Sequence, residues 1–220
     1  MQPIILYSHD IGPNPWKVAI ILSALGIEYK TVFVSFDEVK LPPFTDINPN
    51  GRLPAIIDPN QKITLWESGA IVEYLIDMYD VSHKLSYETL PEKYHTQQWL
   101  HFQMSGQGPY YGQLFWFKQP PTPESVAIKR YANEIRRVTG VLEKALEGRD
   151  WLVGDKCTYA DLCMVPWQDL VPMYYAEEVG DILRDFPGVS AWMGRMKERE
   201  DVQKVLREKS EAMEKMAAQK

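Results

Sequence analysis

The chain has 220 residues, enough for two small domains or one large one with a real core. Hydrophobic residues make up 45% and charged residues 25%, ordinary proportions for a soluble globular protein. A net charge of −6 disfavours nucleic acid, which needs clustered Lys and Arg, and no apolar run is long enough for a membrane span. The first eighty or so residues alternate short strand-like and helix-like segments. Residues 4–7 predict a strand. Residues 14–25 predict a helix with Val18, Ile21, Leu22 and Leu25 on one face, stopped by Gly26. The aromatic and β-branched run 29–34 predicts a second strand. Pro42-Pro43 heads a brief helix to about Ile47, and residues 55–57 and 63–65 form a hairpin through Asp58-Pro59-Asn60. A βαβ unit followed by ββα is a thioredoxin-like order. Beyond a linker at 83–91 strand signals vanish, and 92–117, 124–147, 159–175 and 188–217 read as helices. Thr158-Tyr159-Ala160-Asp161 is a variant capping box.

The most informative pattern is Asn48-Pro49-Asn50-Gly51-Arg52-Leu53-Pro54-Ala55-Ile56-Ile57-Asp58, followed by Glu67-Ser68-Gly69. Proline cannot donate to a sheet ladder, so Pro54 marks a sharp turn that leaves neighbouring backbone groups for another partner. Glu67-Ser68 opens a helix whose apolar positions are Val72, Leu75, Ile76 and Tyr79. A hydroxyl, a carboxylate and unpaired N–H groups therefore meet at a helix N-terminus, where an anion is favoured. Together the two motifs can hold a small peptide by its backbone and its charged end.

Leu53-Pro54-Ala55 and Trp66-Glu67-Ser68-Gly69-Ala70-Ile71 resemble the glutathione-binding half of a glutathione transferase. The resemblance implies a cis proline at Pro54, with Leu53 pairing backbone to backbone with the cysteinyl part of glutathione. It implies that Glu67 meets the γ-glutamyl ammonium and Ser68 its carboxylate. It also implies a thioredoxin-like α/β domain over 1–82 followed by an all-helical domain over 92–220. The stretch from Ser8 to Ile20 is similar to the fungal branch related to a yeast nitrogen-catabolite regulator and to the bacterial Nu-class enzymes. Trp99 to Gly106, Arg130-Tyr131 with Arg136-Arg137, and Trp151 to Lys156 extend that similarity over nearly the whole chain.

A free thiol has a pKa near ~8.5, so catalysis needs a donor or positive charge beside the sulfur. The resemblance makes Asn14 that donor; the alternative is that Asn14 only N-caps its helix. Tyr7 reads as a packed strand aromatic and Ser8 as a turn residue. No cysteine lies in this region, which disfavours a mixed disulfide between enzyme and glutathione. Cys157 and Cys163 read as packing residues. The bacterial relatives carry Thr where this chain has Gly12, and Pro15 replaces a common Gly. Where relatives carry a polar residue on the glycyl carboxylate this chain has Val39, leaving a backbone contact there or Lys40 beside it. Arg52 reaches either the ligand or solvent. Arg137 and Gln103 align with contacts from the helical domain, with a salt-bridge role competing for Arg136 and Arg137.

The acceptor pocket is expected between the domains, with Tyr110, Tyr111, Phe115, Trp116 and Trp167 as its aromatics, although each also suits a helical core. The implied reaction is glutathione transfer to an electrophile, reduction of a small disulfide or peroxide, or both. The other class is a regulatory module that keeps the pocket without turnover. Glutathione is the expected cosubstrate, with no permanently bound cofactor and no metal. A homodimer is expected from the resemblance, and a cytoplasmic location from the lack of a secretion signal. The densely charged last helix, from Arg195 to Lys220, reads as a solvated face.

Overall fold

The computed structural model describes residues 1–119 and 124–218. The chain divides into two units: Met1–Lys84 together with the segment from Lys197 onward, and Leu85–Met196.

The first unit begins with β1 (Ile4–Ser8), α1 (Pro13–Ala24) and β2 (Tyr29–Phe33). It continues through a 3₁₀ turn at Glu38–Lys40, α2 (Phe44–Ile47), β3 (Ala55–Asp58), β4 (Ile63–Trp66) and α3 (Ser68–Tyr79). The sheet order is β2-β1-β3-β4, with β1 and β2 parallel and the other pairs antiparallel. This is the expected thioredoxin-like arrangement. Pro13 takes the first position of α1, where its missing N–H costs nothing, and Gly26 leaves the helix at φ +70°. Leu53–Pro54 is cis, and so is Pro42–Pro43.

Trp16 and residues 17–22 of α1 are all buried. A helix buried all round needs cover on more than one side. α3 and β1 supply part of it, and the rest comes from α11 (Glu200–Ala217), which packs on α1. The sequence reading of this helix as a densely charged solvated face did not include this packing on α1. Among the charges of α11, Val202, Val205 and Ala212 recur at helical spacing and are buried. Ser23 Oγ donates to the Asp201 carbonyl at 3.1 Å, and Tyr29 Oη donates to Glu208 at 2.5 Å. The expected helix across 188–217 is broken, because Arg199 is extended (φ −69°, ψ 132°) between α10 (Pro187–Glu198) and α11. Residues 219–220, the end of the charged last helix read from Arg195 to Lys220, lie outside the described residues.

The second unit is all-helical: α4 (Leu90–Phe102), a π-helical turn at Gln103–Gln107, α5 (Gly108–Phe117), α6 (Ser125–Ala145), α7 (Tyr159–Tyr174), α8 (Ala176–Val179), α9 (Ile182–Asp185) and α10. At the start of α7 the capping box is present. Its Asp161 is buried, and its carboxylate accepts from the N–H groups of Leu152 and Thr158 and from Trp192 Nε1. Burial pushes the Asp161 carboxyl up against these bonds.

Candidate functional site

Strand register brings the site together. Tyr7 of β1 pairs with Ala55, and Ala55 pairs with Trp66. Three chain segments therefore meet at one end of the sheet: the exit of β1 into 9–13, the approach to β3 through Leu53-Pro54, and the exit of β4 into Glu67-Ser68. Asn14 follows the first of these at the second position of α1. The N-cap is Gly12, so the cap alternative for Asn14 does not hold.

Leu53 lies outside the strands, and its backbone N–H and carbonyl make no hydrogen bond among the described residues. A peptide laid beside it can take both groups, as an added strand does. Asn48, buried, fixes the approach to Leu53: its Nδ2 donates to the Arg52 carbonyl at 2.6 Å, and its Oδ1 accepts from Asn50 N–H at 2.9 Å. Lys40 Nζ donates to the Gly51 carbonyl at 2.7 Å. Gly51 has φ +58°, and a Cβ there would sit 2.7 Å from the Val39 carbonyl, so only glycine fits. The Val39 side chain is buried in a cluster with Phe44 and Ala55, against which Tyr7 and Leu53 pack. Only its backbone can serve a ligand. The Arg52 side chain is exposed.

Glu67 is exposed and holds φ +70°, ψ 111°, a conformation a non-glycine residue seldom adopts. Such strain costs about 1–3 kcal/mol and concentrates at ligand clamps. Ser68, the first residue of α3, is 3% exposed and accepts from Lys17 Nζ at 2.8 Å. In the loop after β1, His9 Nδ1 lies 2.5 Å from Asp10 Oδ1 and 3.3 Å from Ile11 N. Ile11 N–H donates to Nδ1, and Asp10 Oδ1, close as it lies, has no hydrogen-bond partner among the described residues. The His9 ring stacks on Phe36 at 3.8 Å, and Trp16 Nε1 donates to the Asp10 carbonyl at 2.8 Å. Ser8 is buried with its hydroxyl turned to the His9 carbonyl, and Tyr7 packs edge-on against Phe44.

The sequence reading gave no role to Asn48, Lys17 or His9. Asn48 was legible as part of the Asn-Pro-Asn-Gly run, a turn-forming composition. Lys17 and His9 carry no local signal.

In the helical unit, Gln103 is fully buried in the π-helical turn, where Nε2 donates to Gln107 at 3.3 Å. Its Oε1 has no hydrogen-bond partner among the described residues. Arg137 pairs with Glu134 at 2.7 Å and lies over the Tyr110 ring. Arg136 binds the Val179 carbonyl and Asp185, tying α6 to α8 and α9. Tyr111 and Trp167 are core residues, whereas Tyr110 is half-buried and Phe115 and Trp116 are exposed. Cys157 and Cys163 are buried thiols in this unit. Among the described residues no group of three or more His, Cys, Asp or Glu is placed to hold a metal ion. None of the described helices is long and apolar enough to cross a membrane.

Residues 2–77 match the glutathione S-transferase N-terminal domain and residues 111–200 the C-terminal domain. The chain is 49% identical over 205 residues to the glutathione S-transferase-like protein gedE of Aspergillus terreus, covering 89% of this chain and 91% of that one. It superposes on the glutathione transferase URE2P6 of Phanerochaete chrysosporium, solved with oxidized glutathione, at TM-score 0.88 and 42% identity, covering 96% of this chain and 98% of that one. Ure2p5 of the same fungus, cocrystallized with 1-(S-glutathionyl)-2,4-dinitrobenzene, matches at TM-score 0.90 and 40% identity over 98% of each chain.

Proposed function

Because the chain belongs to the glutathione S-transferase family, we propose that it binds glutathione at this sheet end and activates the thiol there. The observation carrying the reading is the register that joins the unpaired Leu53 backbone, the Glu67-Ser68 helix start and Asn14 at one edge. In this reading the Leu53 N–H and carbonyl pair with the cysteinyl backbone, beside the Pro54 turn. Glu67 meets the γ-glutamyl ammonium, and Ser68 with the first N–H groups of α3 takes the carboxylate. The Asn14 amide donates to the sulfur and favours thiolate over thiol. Lys40 and the Val39 backbone are assigned the glycyl end, with Arg52 at the rim. Arg137 and Gln103 remain assigned to the ligand by family resemblance; the burial of Gln103 narrows its role to holding the π-helical turn unless a ligand group reaches Oε1. Tyr110, Phe115 and Trp116 are favoured over Tyr111 and Trp167 as acceptor-facing aromatics, because the latter two are buried.

Two reactions use the same thiolate. In conjugation it forms a C–S bond to an electrophilic carbon and a leaving group departs with its electron pair. In disulfide reduction it forms a new S–S bond and expels a thiolate, and a second glutathione completes oxidized glutathione. Neither step needs an enzyme cysteine. We assign both, supported by relatives solved with an S-aryl conjugate and with oxidized glutathione. We further assign a homodimer, since the edge strand β4 leaves Trp66 exposed and α3 leaves Met78 exposed, and a cytoplasmic enzyme.

Steady-state assays with an aryl halide and a small mixed disulfide test the proposal. Turnover of either is expected. Glutathione binding without turnover of any electrophile or disulfide would replace the enzyme with a regulatory module.

A further inference from the structure

Lys17 is fully buried, yet it carries an ammonium, and the sequence reading gave it no part in the site. Water does not solvate this charge, so the protein must place it against specific acceptors. One acceptor is the hydroxyl of Ser68, 2.8 Å from Nζ and itself buried. An ammonium has three donors and no acceptor, so in this contact Ser68 Oγ accepts. The hydroxyl proton of Ser68 must then point away from Lys17, toward another acceptor. Asn14 and Lys17 are three residues apart on α1 and so share a side of that helix.

We infer that Lys17 is a positioning residue for the carboxylate end of the ligand: its ammonium holds Ser68 as a donor toward the γ-glutamyl carboxylate and offsets that negative charge from beneath. This rests on the glutathione reading above. The same helix then serves both ends of the peptide, Asn14 at the sulfur and Lys17 under the γ-glutamyl group. An apolar residue at 17 would fill the space but remove the ammonium's donation to Ser68 Oγ and the buried counter-charge for the carboxylate.

The test is a binding titration of wild type, Lys17→Met and Lys17→Gln with two ligands. One is glutathione; the other is 4-aminobutyryl-cysteinylglycine, which lacks only the γ-glutamyl carboxylate. Lys17→Met should weaken glutathione about ten- to a hundredfold and leave the analogue within about threefold of wild type, the range expected for a bond to a charged group. Lys17→Gln keeps volume and a donor without the charge, and should show a smaller loss, again confined to glutathione. It decides the question if Lys17→Met does not fold. Equal losses for both ligands, or none, would make Lys17 a packing residue and overturn the inference while leaving the glutathione site standing. Wild type that binds neither ligand would overturn the site reading and this inference together.

Discussion

Asn14 occupies the second helical position of α1, behind Gly12 and Pro13, so its side chain is not needed as a cap. Its replacement should therefore act on the sulfur more than on the fold. Asn14→Ala is expected to lower kcat about ten- to a hundredfold with the glutathione Kd changed less than about threefold, and to raise the pKa of the bound thiol toward its free value near ~8.5. A pH titration of bound-thiolate absorbance together with steady-state kinetics checks this; equal effects on kcat and Kd would make Asn14 a binding group only. The Leu53–Pro54 turn and the helix start at Glu67-Ser68 were legible as structure, because each needs particular residue types at a fixed spacing. Lys17 was not. It stands among Trp16, Val18 and Ala19, and period alone reads a lysine there as the solvent side of an amphipathic helix. Only the packing of α11 and α3 around α1 shows that this helix has little solvent side. The same applies to the burial of Gln103, which lies in a π-helical turn that no sequence period announces.

At the scale of elements, the helix that carries Ser68 is fastened to the sheet by one carboxylate. Asp58, at the end of β3, accepts from Tyr74 Oη at 2.6 Å, from Tyr79 Oη, and from Asn60 N–H at 2.8 Å. Burial alone would raise its pKa, but these bonds outweigh it and hold the carboxyl below its ordinary value. A lowered folded-state pKa means stability present above the unfolded value, about 3.9, and lost as pH falls through the folded one. Asp58→Asn should cost about 1.5–3 kcal/mol at pH 7 by urea unfolding, and the gap from wild type should narrow below about pH 4. A gap independent of pH would assign Asp58 a packing role only. The strands and most helices were legible from period, from Gly26 and from the Thr158–Asp161 cap. The break at Arg199 was not, since neither Gly nor Pro marks it. The buried stripe of α11 was hidden by charged residues on either side of Val202, Val205 and Ala212.

For the whole molecule, the claim is a glutathione-using enzyme of the glutathione S-transferase family. Assembly is a separate prediction. Met78→Glu, at an exposed apolar position of α3, should convert a dimer to monomers in light scattering, and an unchanged mass would exclude that face from the contact. The central claim is met most directly by a calorimetric titration of glutathione into wild type and into Glu67→Ala and Ser68→Ala variants. One glutathione per chain is expected for wild type, with affinity reduced about ten- to a hundredfold in each variant. No binding to wild type, or equal affinity in all three proteins, would contradict the account.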